Sequence, residues 1–473
     1  MFNFQGGRLQ RPPFHFDKIR FYCYILTPNI IKFIMFDKLL TDYNGFFFLG
    51  IGGVSMSALA KILHSRGKCV AGIDRCAGEY TEELIQLGIP VTIGNTADIS
   101  DFQVVVYTDA LAENNPLIIS ARRQNKILIP RGELLYEVSR LFKATVAVAG
   151  CHGKTTCTSM IAHIFKVADL KFTSHIGGSD LPLSNAFIGG YDYLVTEACE
   201  YKKNFLHLKP DISVILNSSA DHLDCYGSVE NLLNAYSEFS QNSGKVIKLY
   251  GDLSDVDGTT FGFDDRATYY AKHIRITGGK IFFTVYENGG ELGRLCLSTY
   301  GKHNVLNALA AVAVSRKIGL NFDVINAGLA DFKGVKRRFE KIGAYHGAIC
   351  IADYAHHPDE IKATLKTAKK VCNGELYVIF QPHTYSRTKN FFKQFVLTLS
   401  QVKRLMVYKT FPAREYYDDT GSALTLSNAL KRSRYGECLA DIANFLKTVT
   451  EDDVVLVLGA GDIYDIFKDF LNY

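Results

Sequence analysis

A three-part α/β protein with mostly parallel sheets is predicted by three observations. Two apolar strands each run into a glycine-rich turn and then a helix. A third segment alternates strand-like apolar runs with polar helical stretches, as a parallel sheet covered by helices requires. The chain has 473 residues, enough for roughly two to four domains. Boundaries are placed near Lys143 and Ala330. They define an N-terminal extension over 1–35 and units over 36–143, 144–330 and 331–473.

The first strand, Phe46 to Leu49, leads into Gly50-Ile51-Gly52-Gly53. Such a turn opens the backbone to an anion at a helix N-terminus. Ser55 stands where a dinucleotide fingerprint has its third glycine, so a tight turn without ligand is the competing reading. Asp74 ends the next apolar run, Cys69 to Ile73, where a ribose-binding acid is expected.

The second strand, Thr145 to Ala149, enters Gly150-Cys151-His152-Gly153-Lys154-Thr155-Thr156. Glycines at 150 and 153 let the backbone wrap a phosphate. Lys154 would neutralise β- and γ-phosphates, and the Thr155 hydroxyl would ligate Mg²⁺. Val148 occupies the position of the general motif's first glycine. The remainder still favours phosphate binding over a helix start with an incidental lysine.

Downstream, Leu194 to Glu197 is a strand ending in an acid. Ser213 to Leu216 is another strand, followed by Asn217 to His222. Glu197 is a candidate oxygen ligand for Mg²⁺ and His222 a less usual nitrogen ligand. Lys302 to Ala311 reads as a helix with His303, Asn304 and Asn307 on one face, where an adenine could be hydrogen-bonded. An asparagine-capped helix packed on a sheet is the alternative. Ala267 to Ser298, with Gly278-Gly279 and Asn288-Gly289-Gly290 turns, reads as an antiparallel insertion. In the third segment Asp353 to Pro358 and Gln381 to Arg387 each follow an apolar strand, and Lys336 to Glu340 precedes them. Strand C-termini of parallel sheets are where α/β proteins bind ligands, and arginine suits carboxylate or phosphate. Gly459-Ala460-Gly461-Asp462 is expected to serve tight packing.

Composition narrows the function. Hydrophobic residues make up 47% and charged residues 21%, as in globular proteins with real cores. A net charge of +5 is too small at this length to argue for nucleic acid. No uninterrupted apolar run is long enough to span a bilayer. The 11 cysteines are scattered from Cys23 to Cys438 without a CxxC pair, which suits reduced thiols in a cytoplasm. Arg8, Arg11, Lys18 and Arg20 precede an apolar stretch from Phe21 to Phe36. Pro28, Asn29 and Lys32 interrupt it, and no small-residue cleavage site follows. Met1 to Ile34 is expected to be a dispensable extension, with Met35 as an alternative start.

These motifs, in this order, resemble the Mur ligases from about Phe36 to the C-terminus. The glycine turn with Met56-Ser57, Asp353-Tyr354-Ala355-His356-His357-Pro358, Pro382-His383-Thr384-Tyr385-Ser386-Arg387-Thr388 and Glu197-Ala198-Cys199-Glu200-Tyr201 look like the alanine-adding branch. The resemblance implies a Rossmann-like UDP-binding domain, a central P-loop ATPase domain and a C-terminal Rossmann-like domain. It implies ATP and Mg²⁺ as cofactors, with UDP-N-acetylmuramic acid and L-alanine as partners. A cytoplasmic monomer or weak homodimer is expected, without nucleic acid or membrane.

By resemblance, Gly50, Gly52, Gly53 and Asp74 lie at the uridine nucleotide. The loop Gly150, Cys151, His152, Gly153, Lys154, Thr155 and Thr156 holds ATP, with His303, Asn304 and Asn307 at adenine and Arg338 and Asp353 reaching in. Thr155, Glu197 and His222 would be metal ligands. His357, His383, Tyr385 and Arg387 would line the site of the muramoyl carboxylate and the amino acid. Lys154, His356 and Arg387 are the catalytic candidates, and either His356 or His357 could take the amine proton. Cys151 takes a position often held by threonine. Ser219 takes one usually held by an acid, which predicts a higher Mg²⁺ requirement. Alternative readings are a ligase attaching an intact tripeptide, a non-catalytic nucleotide sensor and a nicotinamide dehydrogenase.

Overall fold

The computed structural model describes residues 38–108, 111–219, 223–277, 280–299, 301–413 and 415–472. The expected extension over 1–35 and the metal candidate His222 lie outside the described residues.

Strand Gly45–Leu49 (GFFFL) is buried at every position. A strand so apolar on both faces must be covered on both, which places it in the middle of a parallel sheet. Its sheet runs Val91–Ile93, Cys69–Asp74, Gly45–Leu49, Val104–Tyr107, Ile127–Pro130, all parallel. The chain reverses its direction of winding at Gly45–Leu49, so a crevice opens at that strand's C-terminal end. The glycine turn Gly50–Gly53 sits there, and helix Val54–Ser65 follows it.

The second sheet has ten strands. Ala144–Ala149 lies between Ile212–Ile215 and Tyr193–Glu197, parallel to both. The predicted antiparallel region forms as Tyr269–Thr277, Lys280–Glu287 and Gly290–Leu297. It belongs to the middle unit, because Tyr269–Thr277 pairs with Thr259–Gly262 and so prolongs the same sheet. Helix Lys154–Val167 is clamped between this sheet and helices His303–Lys317 and Phe322–Asp331, with Met160, Ile161, Ile164 and Phe165 fully buried. The opposite face shares one apolar core with the first unit: Leu134, Leu135 and Val138 join Phe205, Tyr236 and Phe239. Two units distinguishable in sequence are therefore welded by a common core.

The third sheet has the order Glu340–Tyr345, Ala348–Asp353, Val454–Leu458, Leu376–Phe380, Arg404–Tyr408, Ser433–Gly436. Only the first pairing is antiparallel. Gly459 adopts φ +152°, and a Cβ there would lie 3.0 Å from the Gln381 carbonyl oxygen. The closing glycine run thus permits close strand packing, as its sequence suggests.

Gly328 faces helix Lys154–Val167 so closely that any Cβ would collide with the Ile164 backbone. Gly328→Ala is expected to destabilise the protein by about 1–3 kcal/mol, the usual range for overpacking. An unchanged urea midpoint would contradict this packing.

Candidate functional site

The strand–turn–helix at 144–167 builds the centre of the site. Gly150 and Gly153 take φ +130° and +91°, a region that side chains disfavour. A Cβ at 153 would come within 2.5 Å of Asn307 Oδ1. Asn217 braces the loop twice: its Oδ1 accepts the His152 N–H (3.1 Å) and its Nδ2 donates to the His152 carbonyl (2.9 Å). Lys154 Nζ donates to the Gly150 carbonyl (2.6 Å) and to Glu200 Oε1 (2.9 Å). Burial acts against the lysine's charge, but the Glu200 and Glu197 carboxylates outweigh it and hold its pKa above the ordinary value.

Glu197 ends strand Tyr193–Glu197 and accepts the Gly177 N–H at 2.5 Å. Thr155 and Glu197 line the same cavity beside the loop. Burial raises the Glu197 pKa, with Lys154 opposing. Thr155 and Glu197 thus converge beside the loop, and both present the hard oxygen donors that Mg²⁺ prefers. A turn whose glycines cannot carry a Cβ, a lysine over it and two adjacent oxygen ligands fit a magnesium–triphosphate pair.

One cavity of about 580 Å³ gathers residues from two units. Cys151, His152, Gly153, Lys154, Thr155 and Thr156 line it from the loop, with Glu197 and Ser219 beside them. His303, Asn304 and Asn307 line it from helix His303–Lys317. Asn307 Nδ2 donates to Asn304 Oδ1 at 3.0 Å, as their spacing of three residues allows. Burial, with His152 adding to it, depresses the His303 pKa.

Arg338 and Asp353 complete the wall from the third unit. Arg338 is flanked by Arg337 and Phe339, both left-handed at φ +59° and +51°, and lies 5.1 Å over the Tyr354 ring. Non-glycine residues held in that region concentrate at functional sites. Asp353 accepts N–H groups of Phe339 (2.9 Å) and Ala355 (2.8 Å).

The other candidates fall outside that cavity. Gly50, Gly52 and Gly53 form their own turn, where Asp74 Oδ2 accepts the Gly52 N–H at 2.9 Å. Asp74 therefore braces the turn at the crevice where a ribose is expected. Ser55, the departure from the dinucleotide pattern, bonds buried His175 of the next unit at 2.8 Å. That contact explains the hydroxyl in place of a glycine. Arg387 Nη1 donates to His383 Nδ1 at 3.2 Å, and the His383 and His356 rings lie 5.9 Å apart. Burial, His356 and Arg387 push the His383 pKa down to about 4. Tyr385 is buried against Tyr417, and His357 caps helix Pro358–Val371 with its ring on Phe391.

Three residues of the site are not among the candidates read from the sequence, although Glu200 stands within the motif over 197–201. Asn217 and Glu200 follow strands, a usable signal. Glu360 lines the cavity from a helix, and its sequence context signals only a helix cap.

The chain matches three models that tile it: "Mur ligase family, catalytic domain" over 46–143, "Mur ligase middle domain" over 148–315 and "Mur ligase, glutamate ligase domain" over 337–461. It belongs to the Mur ligase family. Within that family it is 40% identical over 450 residues to the UDP-N-acetylmuramate–L-alanine ligase of Clostridium kluyveri, covering 90% of this chain and 97% of the relative. The corresponding ligase of Clostridium acetobutylicum is 40% identical over 446 residues, with the same coverage. The crystal structure of the UDP-N-acetylmuramate–alanine ligase of Thermotoga maritima superposes with a TM-score of 0.80 at 32% identity, covering 90% of this chain and 98% of that one. A murein peptide ligase of Psychrobacter arcticus shares the fold at a TM-score of 0.69 and 23% identity, covering 90% of this chain and 98% of that one.

Burial raises the Asp353 pKa from 3.8 to about 6, with Arg338 opposing. Its folded value exceeds its unfolded one, so its stabilising contribution is full below about pH 4 and is lost as pH rises through about 6. Relative to Asp353→Asn, the wild type should therefore gain about 1–2 kcal/mol on moving from pH 7.5 to pH 4.5. Thermal melts of both proteins at the two pH values check this, and a constant gap would contradict it.

Proposed function

We infer that this chain joins L-alanine to the carboxylate of UDP-N-acetylmuramic acid at the expense of ATP, in peptidoglycan precursor synthesis. The observation that carries this reading is the 40% identity to L-alanine ligases along 90% of the chain. The cavity agrees with it by uniting a phosphate loop with the strand ends of a second sheet. Among the described residues no helix is long and apolar enough to cross a membrane. A cytoplasmic enzyme, monomeric or weakly dimeric, suits nucleotide-linked and amino-acid substrates.

The muramoyl carboxylate and the triphosphate are both anions and must approach each other, so the site has to supply positive charge. Lys154 and Arg338, contributed by different units, supply it, and both line the cavity. Bound Mg²⁺, held by Thr155, Glu197 and His222, would add charge at the phosphates. His303, Asn304 and Asn307 would orient the adenine. Gly50, Gly52, Gly53 and Asp74 would hold the uridine nucleotide, and His383, Tyr385 and Arg387 the reacting carboxylate and amino acid. The carboxylate attacks the γ-phosphate to give an acyl phosphate, the bond to the β-phosphate's bridging oxygen breaks, and ADP leaves. The amine then attacks its carbonyl, and phosphate leaves. Walls drawn from separate units can close and exclude water, which would otherwise hydrolyse the acyl phosphate.

Phosphate release with ATP, Mg²⁺ and UDP-N-acetylmuramic acid should rise on adding L-alanine. Stimulation by an intact tripeptide instead would favour the recycling ligase, and binding of ATP without turnover would favour a sensor. Lys154→Ala should lower kcat by at least about a hundredfold, because it removes charge that counts most in the transition state. Near-normal turnover would remove Lys154 from the mechanism.

Ser219 lies at the cavity edge, and its carbonyl accepts a hydrogen bond from the Cys151 thiol at 2.8 Å. Ser219→Glu should lower the Mg²⁺ concentration for half-maximal rate, by up to about tenfold. Glu197→Ala should raise it sharply. A Mg²⁺ titration in which Ser219→Glu leaves the midpoint unchanged or moves it upward would refute this role.

A further inference from the structure

The sequence leaves two histidines, His356 and His357, as acceptors for the amine proton. The structure separates them. His357 Nδ1 accepts the Asp359 N–H at 3.4 Å, so one of its ring nitrogens is occupied in capping helix Pro358–Val371. His356 Nδ1 faces two acceptors, the Tyr354 carbonyl oxygen at 2.9 Å and Glu360 Oε2 at 3.5 Å. Only a protonated Nδ1 satisfies such neighbours, which leaves the lone pair on Nε2.

The groups facing His356 come from several elements. Tyr354 and Glu360 flank it locally. His383 faces it from the loop after strand Leu376–Phe380, Arg387 from the helix Tyr385–Asn390 that follows, and Arg338 from the segment before Glu340–Tyr345. The two arginines disfavour an imidazolium, as burial does, and Glu360 is the carboxylate that opposes them. Glu360 also reaches the phosphate loop, with Oε1 3.7 Å from His152 Nδ1. Burial acts against its charge, but His152, His356 and Arg338 outweigh it and keep it ionised.

We propose that Glu360 is a positioning residue for amide formation: it fixes the Nδ1–H tautomer of His356, stabilises the imidazolium, and ties that base to the phosphate loop through His152. This rests on the ligase reading. In the step, the incoming ammonium gives one proton to His356 Nε2. The freed nitrogen lone pair forms the C–N bond at the acyl carbonyl. The C–O bond to phosphate breaks, phosphate departs with the electron pair, and the remaining surplus nitrogen proton leaves with it.

Glu360 also has a local duty, because Oε2 accepts the N–H groups of His356 (3.0 Å) and His357 (3.2 Å) as a capping box. Glutamine serves equally well in a capping box. Glu360→Gln therefore keeps the cap and removes the charge. It should lower kcat by about ten- to a hundredfold, a part of what general base catalysis contributes. The acidic limb of its pH–rate profile should move down by about one unit, the usual effect of losing a neighbouring opposite charge. The thermal midpoint should stay near the wild-type value, whereas Glu360→Ala should lower the midpoint as well. Nitrogen NMR of the ligand-free protein should show His356 with Nδ1–H, and a pKa about one unit lower in Glu360→Gln. An Nε2–H tautomer in the wild type, or wild-type kcat and pH limb in Glu360→Gln, overturns this role alone. A wild type without L-alanine-dependent phosphate release overturns the ligase reading and this role together.

Discussion

Everything in this structure depends on holding one short backbone turn open. Gly150 and Gly153 are left-handed, and the N–H groups at the start of helix Lys154–Val167 stay available to an anion only while that geometry persists. Side chains from distant segments enforce it. Asn217 ties both backbone groups of His152, and Asn307 crowds Gly153. The helix cannot slide, because its buried face is packed against a sheet and two helices at once.

The same helix carries the coupling between units. Ser159 and His163 bond the buried carboxylate of Asp180, and His163 also bonds Asp331 at the end of the neighbouring helix. Asp180 forms a bridge with Val335, three residues before Arg338. The arginine that faces the phosphate loop is thus anchored through hydrogen bonds rooted in the helix that the loop begins. On the other side, Ser55 meets His175, and Lys61 donates to Asn185 at 2.6 Å, so the glycine turn of the first unit is referenced to the second. A reaction between two anions and an amine needs such a frame, since a misplacement of about 1 Å can cost about a hundredfold in rate.

The electrostatics follow the same division. Negative side chains are kept close to positive ones: Glu200 against Lys154, and Glu360 among His152, His356 and Arg338. Histidines near the reacting groups are pushed toward the neutral form by burial and by nearby arginines. A site arranged this way presents neutral imidazole nitrogens beside fixed cations, which suits proton removal from an ammonium next to anionic substrates.

The sequence by itself determined the strand–turn–helix units, the parallel character of the sheets and the place of the glycine loop that the structure holds open at Gly150 and Gly153. Those features are local: apolar runs buried on both faces, and glycines at positions that exclude a Cβ, can be read within a window of a few residues. The tertiary structure decided the rest. It showed Tyr269–Thr277 prolonging the central sheet, because strand pairing between Thr259–Gly262 and Tyr269–Thr277 leaves no mark in either segment. It merged the first two units into one apolar core, since burial by a neighbouring unit and burial within a unit select the same residues. It separated His356 from His357, identical in type and adjacent in sequence, by setting the Nδ1 of one against a backbone N–H of the helix it caps and the Nδ1 of the other against a backbone carbonyl. Glu360 stayed hidden for that reason: three residues after a cap, its sequence position signals only a helix start, and the cavity it faces is made by a loop about two hundred residues away.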